Sequence, residues 1–231
     1  MKRELFINGE THKLFYNPVY NLETGHLEKI EVFVDSEENL KTKYEKIVNL
    51  WAFKELCQMQ KEAYSKNLPI TPCSLLISER LLINPYHIYD LLLSYYDFAL
   101  PHNCIEILSK SLNKIKNNHN NQKILNYLQE KGLKITLDIL FKDINFLINA
   151  ENNFFDKLCI SIEVLKKIID KKNGTITDTV NLYGDTDKFL IISEIKDLSD
   201  LQLAKKTNST QGKGIFLGEK IALGNFYNLS D

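Results

Sequence analysis

Four acidic residues stand within or at the end of short apolar runs of the sequence: Glu31, Glu106, Asp138 and Glu194. A carboxylate on a buried strand is costly unless it is paired with a cation, protonated or bound to a metal. A single acid in such a position is ordinarily explained by solvent or by a lysine partner. Four acids on converging strands would instead supply the oxygen ligands that Mg²⁺ and Mn²⁺ prefer.

The elements that would position these acids follow a regular order. Two strand-like runs flank the turn at residues 21–25 and predict a hairpin, and short apolar runs then alternate with amphipathic helical segments. This alternation is typical of parallel strands joined by crossover helices. About eight strands favour a closed (β/α)₈ barrel, with an open doubly wound sheet as the structural alternative. In such a barrel the βα loops gather at the carboxyl ends of the strands, where we expect the four acids to meet.

The composition narrows the class of protein. The chain has 231 residues, 44% of them apolar, and its 29 basic residues nearly balance 30 acidic residues. These values exclude a disordered tail and give no overall attraction to nucleic acid or to an anionic membrane. No window approaches the roughly 18 apolar residues of a membrane span, the first residues lack a signal-peptide pattern, and the four cysteines form no CxxC pair. We therefore expect a cytoplasmic protein with no membrane partner, folded as one domain over residues 1–231.

A series of motifs resembles the EAL domain family of cyclic di-GMP phosphodiesterases. The first half of the series is YNPV at 16–19 with LETG at 22–25, EVF at 31–33, LISER at 76–80 and IEILS at 105–109. The second half is LDILF at 137–141, LCIS at 158–161, ISEIKD at 192–197 and KGIFLG at 213–218. In order, these resemble the family's YQPI, EAL, VNLSPR, LEITE, LDDFG, LKID, AEGVE and QGYLFG. The resemblance implies an α/β fold, a modified TIM-like (β/α)₈ barrel of EAL type with an antiparallel first strand, which agrees with the predicted hairpin.

The resemblance also implies a set of site residues. Active members of the family hydrolyse cyclic di-GMP with two cations, Mg²⁺ or Mn²⁺, which activate water and stabilise charge on the reacting oxygens. The metal-site carboxylates of the family match the four acids Glu31, Glu106, Asp138 and Glu194. Asn17 stands where the family has a glutamine that touches the nucleotide, so it is the candidate ligand-binding residue.

Five positions depart from the family pattern. Leu76 replaces the Asn of VNLS, Ile139 the second, bridging Asp of LDDFG, and Cys159 the Lys of LKID. Lys213 replaces the Gln of QGY, for which Gln211 is an alternative under a shifted alignment, and Asp35 replaces a phosphate-binding Arg. An apolar side chain cannot ligate Mg²⁺. We therefore expect no catalytic residues and no two-metal site, with either no cofactor or a single weak Mg²⁺ or Mn²⁺ on the remaining acids.

These departures favour one functional interpretation and leave two alternatives open. The favoured one is a catalytically degenerate EAL-like protein of cyclic di-GMP signalling that acts as a regulatory protein-binding module. The resemblance implies a protein partner, for example a transcription regulator, and it also implies homodimers. The alternatives are a metal-dependent cyclic di-GMP phosphodiesterase with a weak, atypical site and a sensor that binds the dinucleotide without cleaving it. Asp35 disfavours cyclic di-GMP binding, because a carboxylate repels a dianionic ligand.

One aromatic-rich segment has two interpretations. Tyr86, Tyr89, Tyr95, Tyr96 and Phe98 fall on one predicted helix or at its end. Core packing is the interpretation that we favour for most of them. The alternative is an exposed patch for a partner, and an exposed patch would support the protein-binding hypothesis.

Overall fold

The computed structural model describes most of the chain. The described residues are 4–7, 9–34, 42–101, 103–110, 115, 118–139, 155–172, 190–207, 209–219 and 221–222. The altered position Asp35 lies outside these ranges. The helical periodicity at 36–67 predicts a long helix, and the first part of that helix also lies outside them.

The secondary structure alternates between strands and helices. The strands are β1 (Glu4–Ile7), β2 (Glu10–Asn21), β3 (Leu27–Val34), β4 (Cys73–Leu76), β5 (Ile105–Ser109), β6 (Lys134–Ile139), β7 (Lys157–Ser161), β8 (Leu190–Ser193), β9 (Gln211–Gly212) and β10 (Ile221–Ala222). The helices are α1 (Thr42–Ser65), α2 (Glu79–Leu82), α3 (Pro85–Phe98), α4 (His119–Glu130), α5 (Ile162–Lys172) and α6 (Leu198–Lys205).

The strands β2 to β9 form a closed barrel. Each pairs with the next in chain order, and β9 pairs back with β2 to close the ring. All neighbours from β3 to β9 run parallel, whereas β2 is antiparallel to both β3 and β9. The short strands β1 and β10 add to β2 outside the ring. This architecture confirms the predicted (β/α)₈ barrel with an antiparallel first strand.

Side chains alternate between the two faces of the barrel wall. Residues such as Ile30, Ile107 and Leu158 join one large apolar cluster with residues of the surrounding helices, among them Phe53 and Leu91. Because successive side chains of a strand point to opposite faces, the residues between them point into the barrel. The inner residues are mostly polar or charged: Lys29, Glu31, Ser74, Glu106 and Thr136 are all buried. The helices therefore stabilise the wall from outside, and the interior is left for charged groups.

The end of the chain differs from the predicted pattern. The apolar run at 214–217 predicts a further strand, but this segment is a turn and β9 precedes it at Gln211–Gly212. Gly214 explains the turn, because a Cβ atom there would lie 2.2 Å from the carbonyl oxygen of Ile195. Its φ of +156° belongs to glycine rather than to a strand residue.

Two helix caps that the sequence predicts, Ser78 before a short helix and Gly132 after a polar helix, are confirmed. Ser78 is the N-cap of α2, and Gly132, which follows α4, has a φ of +88°.

Among the described residues, no helix combines the length and the apolar character that crossing a membrane requires.

Candidate functional site in the barrel interior

Two layers of charged side chains fill the barrel interior. Three strands each contribute a residue to the lower layer and, two positions further on, a residue to the upper layer: Lys29 and Glu31 on β3, Thr136 and Asp138 on β6, and Lys157 and Cys159 on β7. The two-residue period of a strand keeps both members of each pair on the inner face. We call the group Lys29, Glu106, Thr136 and Lys157 the lower cluster. We call the group Glu31, Asp138, Cys159 and Lys213 the upper cluster.

Glu106 is the centre of the lower cluster. Lys29 Nζ donates to Glu106 Oε2 at 2.9 Å, and Lys157 Nζ donates to Oε1 at 2.8 Å. The Thr136 hydroxyl adds a longer hydrogen bond to Oε2, at 3.4 Å. Both carboxylate oxygens therefore have a lysine partner inside the barrel, where Glu106 and Lys29 are only 2% and 1% exposed.

The electrostatics of the lower cluster follow from this pairing. Burial would raise the pKa of Glu106, but Lys29 and Lys157 outweigh it and lower that pKa to about 2. Burial is also the largest influence on Lys157 and lowers the pKa of its ammonium group, an effect that Glu106 opposes. The carboxylate is ionised at neutral pH, and its two oxygens already bind two cations that belong to the protein.

The upper cluster is built around an ion pair between Glu31 and Lys213. Lys213 Nζ donates to Glu31 Oε2, and both side chains are nearly inaccessible to solvent. Glu31 Oε1 is buried and makes no hydrogen bond to any described residue. Asn17 pairs with Glu31 across β2 and β3 and is half-buried.

The upper cluster has more acids than its lysine can neutralise. Burial is the main reason that the pKa of the Asp138 carboxyl is raised, and Lys213 opposes this shift. The carboxylates of Glu31 and Glu194 also raise the pKa of Asp138, because they repel a further negative charge.

Lys213 remains charged in this surrounding. Burial lowers the pKa of its ammonium group, but Cys159, Glu31 and Asp138 raise it by more. Burial raises the pKa of the Cys159 thiol itself to about 12, although Lys213 opposes the shift. A thiol with that pKa is neutral near pH 7, so the two carboxylates are the groups that hold the ammonium charged.

The structure separates the four predicted metal carboxylates. Glu31 and Asp138 lie in the upper cluster, and Glu194 interacts electrostatically with Asp138 from the end of β8. Glu194 is exposed and has a φ of +63°, a left-handed conformation that is strained for a residue with a side chain. Glu106 instead lies in the lower cluster between its two lysines.

Besides Lys213, three of the altered positions lie within the described residues. Leu76 ends β4 and is half-buried, and its carbonyl oxygen accepts a hydrogen bond from Asn49 Nδ2 at 3.3 Å. Cys159 is fully buried on β7, next to Asp138 across the sheet. Ile139 ends β6, and Gln211, the alternative to Lys213, pairs with Asn21 in the barrel wall.

A pair of divalent cations does not fit this set of residues. Within the ranges that the structure describes, no group of three or more His, Cys, Asp or Glu side chains is placed to hold a metal ion. One of the two oxygens of Glu31 already binds the Lys213 ammonium, so the carboxylate carries a positive group of the protein. Leu76 has no donor atom, and a neutral thiol at Cys159 is a poor ligand for Mg²⁺.

The lysine partners of the lower cluster are not among the site residues that the sequence predicts. Lys29 and Lys157 nevertheless each begin an apolar run and stand two positions before a candidate site residue. That spacing places the lysine on the same face of the strand as the site residue. It was therefore a usable signal for an internal ion pair.

The helix α3 carries an exposed row of large side chains. Tyr86, Tyr89, Leu93 and Tyr96 are 79%, 62%, 45% and 53% exposed. Their intervals of three, four and three residues place them on one face of the helix. The core-packing interpretation is therefore wrong for these three tyrosines, whereas Tyr95 is buried as expected.

Comparisons with known proteins identify the class of fold. No protein-family model and no curated protein matches the sequence. Solved structures of EAL domains do match. The EAL enzyme Bd1971, in a form with cAMP and cyclic di-GMP bound, superposes with a TM-score of 0.76 at 17% sequence identity. The alignment covers 95% of this chain and 65% of that one, so this chain spans less than two thirds of the Bd1971 chain.

Two further structures agree with this assignment over nearly their whole lengths. The EAL domain of Mycobacterium smegmatis DcpA gives a TM-score of 0.74 at 13% identity, over 94% of this chain and 96% of that chain. An EAL domain protein from Listeria monocytogenes EGD-e gives 0.72 at 15% identity, over 95% and 92%. The chain therefore has the fold of EAL domains, and the predicted resemblance is confirmed at the level of the fold.

Proposed function

We propose that this protein is a catalytically inactive EAL-fold protein of cyclic di-GMP signalling that regulates by binding another protein in the cytoplasm. The ion pair between Lys213 and Glu31 is the observation that carries the loss of catalysis. Two-metal hydrolysis needs cations bound to carboxylate oxygens, and here a lysine binds the oxygen of Glu31. A residual site for one weak cation would have to use Asp138 and the exposed Glu194.

The charge of the upper cluster also disfavours cyclic di-GMP as a ligand. Glu31, Asp138 and Glu194 present three carboxylates to a molecule with two phosphodiester charges, against the buried Lys213 and the exposed Lys110, which also lowers the pKa of Asp138. Without bound cations, the negative charge of the upper cluster repels an anionic ligand. Binding to a protein partner therefore accounts better for the molecule than sensing the dinucleotide does.

The exposed row on α3 supplies a surface for such a partner. Tyrosine offers a large contact area with few rotatable bonds and is enriched among the residues that dominate binding energy. Asn84 caps the start of α3 by accepting from the backbone N–H groups of Tyr86 and His87, so the helix presents the row on a regular backbone. The four free, buried cysteines fit a reducing compartment.

Two experiments test the two halves of this proposal. In the first, the purified protein is incubated with cyclic di-GMP and Mg²⁺ or Mn²⁺, and the linear dinucleotide is measured by chromatography. We expect no product, and product that disappears in Glu31→Ala would establish the weak phosphodiesterase instead. Calorimetric titration of the same sample with cyclic di-GMP tests the sensor, for which binding without product would be the result.

In the second experiment, affinity capture compares the wild type with the double variant Tyr89→Glu, Tyr96→Glu. We expect a partner retained by the wild type and lost by the double variant. Tyr127→Glu is the matched control, because Tyr127 is 46% exposed on a different helix, α4. Equal retention by the double variant would exclude the α3 row as the binding surface, and sedimentation of the purified protein shows whether the partner is a second copy.

A further inference from the structure

We propose that the ammonium group of Lys213 is the resident cation of the upper cluster and excludes divalent cations from Glu31 and Asp138. This inference concerns the same site as the proposed function but makes a separate claim. The proposed function requires only that catalysis is absent. The inference names the one side chain that keeps the carboxylates free of metal.

The position of the ammonium is the first argument. Lys213 Nζ contacts Glu31 Oε2, and the two side chains are only 11% and 3% exposed. A divalent cation bound to either oxygen of Glu31 would share one small carboxylate with the ammonium inside the barrel. A divalent cation and an ammonium on one carboxylate repel each other strongly where little water screens them. The ammonium and the metal are therefore alternatives.

The second argument is the backbone around Lys213, which is fixed at the place from which the side chain reaches Glu31. The Lys213 N–H donates to the Ile192 carbonyl oxygen at 2.9 Å, and the Ile195 N–H donates to the Lys213 carbonyl oxygen at 3.2 Å. Gly214 follows directly, at a place where any Cβ atom would collide with the Ile195 backbone. Lys213 is thus held from both sides against the end of β8, unlike a lysine on a surface loop.

The remaining capacity of Glu31 is the third argument. Its Oε1 atom is buried and has no hydrogen-bond partner among the described residues. Without Lys213, neither oxygen of Glu31 would have a partner among the described residues, and a buried carboxylate in that state favours a new positive group. Removal of the lysine would therefore leave Glu31 and Asp138 as unneutralised neighbours that favour a metal ion.

The test measures Mn²⁺ binding directly, from the loss of the electron paramagnetic resonance signal of free Mn²⁺. The samples are the wild type, Lys213→Gln, the charge-retaining control Lys213→Arg and the double variant Lys213→Gln, Glu31→Gln. We expect Lys213→Gln to bind Mn²⁺ at least about tenfold more tightly than the wild type, with a dissociation constant below roughly 1 mM. Lys213→Arg should behave like the wild type, and the double variant should lose the gain.

Two outcomes for folded protein would overturn the inference, and an unfolded variant requires a second measurement. Wild-type protein that binds Mn²⁺ as tightly as Lys213→Gln would show that the ammonium excludes nothing. Folded Lys213→Gln that binds no Mn²⁺ would show that the carboxylates do not form a site even without the lysine. If Lys213→Gln unfolds, circular dichroism in the presence of Mn²⁺ decides: refolding by the metal supports the inference, and a protein that stays unfolded contradicts it.

The result is independent of the proposed function. Wild-type protein that binds Mn²⁺ but releases no linear dinucleotide would refute the inference and leave the proposed function intact. Wild-type protein that hydrolyses cyclic di-GMP would refute the proposed function, and the Mn²⁺ measurements on the variants would still decide the role of Lys213.

Discussion

The two charged layers of the barrel differ in how completely they neutralise themselves. In the lower cluster one carboxylate lies between two lysines, and both of its oxygens are bound. In the upper cluster a lysine pairs with one carboxylate, a second carboxylate has its pKa raised by burial, and one oxygen of Glu31 has no partner among the described residues. The lower cluster is a closed ionic unit, whereas the upper cluster keeps unsatisfied negative charge.

This difference separates structural acids from acids that belong to a site. A buried carboxylate with two lysine partners is what folding alone requires, because both charges are compensated within the protein. A buried carboxylate beside a second one, with a single lysine for compensation, costs stability at neutral pH. The ion pairs of Glu106 therefore account for it as a structural acid, and Glu31 and Asp138 are the acids that we propose as the remainder of a binding site.

The largest predicted effect is the loss of the central acid of the lower cluster. Glu106→Gln leaves Lys29 and Lys157 buried without a counter-charge, so we expect the free energy of unfolding to fall by about 3–5 kcal/mol. Chemical denaturation measures this change. Glu163→Gln is the control, since Glu163 is exposed and lies 3.7 Å from the nearest lysine nitrogens, and it should change stability by less than about 0.5 kcal/mol. A loss below about 1 kcal/mol for Glu106→Gln would contradict the structural role.

The second prediction is a loss of stability in acid that depends on the lower cluster. The pKa of Glu106 is about 2 in the folded protein against an ordinary value of 4.5, so its ionised form stabilises the fold above pH 4.5. This contribution, about 3 kcal/mol, should disappear as the pH falls from 4.5 toward 2. Denaturation curves at several pH values measure it. In Glu106→Gln this part of the pH dependence should be absent, and an unchanged profile would show that other groups cause it.

The third and smallest effect has the opposite sign and belongs to the upper cluster. Asp138→Asn removes a carboxyl whose pKa is raised, so it relieves a charge that disfavours the folded state at neutral pH. We expect a small gain in unfolding free energy, of about 1 kcal/mol or less. The same kind of substitution, carboxylate to amide, should therefore lower the free energy of unfolding in the lower cluster and raise it slightly in the upper cluster. A loss as large as that of Glu106→Gln would show that the two clusters are equivalent.

The sequence predicted the fold well because barrel strands leave a strong local signal. Each apolar run, such as the one around Ile107, marks a strand, and the turn at 21–25 marks the antiparallel hairpin. The prediction from the sequence was wrong at β9. This strand has only two residues, and Gly214 packs closely against the Ile195 backbone directly after it. A strand that short has no periodicity to read.

The site was predicted only in part, because its charge pairs join residues far apart in the chain. The acids were identified from their apolar neighbours, but Glu31 and its partner Lys213 are separated by 182 positions. Lys213 was noted as a departure from the family pattern and not as the partner of an acid. Which of two acids receives a lysine depends on the register between strands, and this register is a property of the closed barrel rather than of any local segment.

Anomalous diffraction from crystals grown with Mn²⁺ and cyclic di-GMP tests the central claim most directly. Data collected at the manganese absorption edge locate each bound ion without reference to catalytic rate. We expect no manganese peak between Glu31 and Asp138, with Lys213 still in contact with Glu31. Two ordered manganese peaks at these carboxylates, with the lysine displaced, would contradict it.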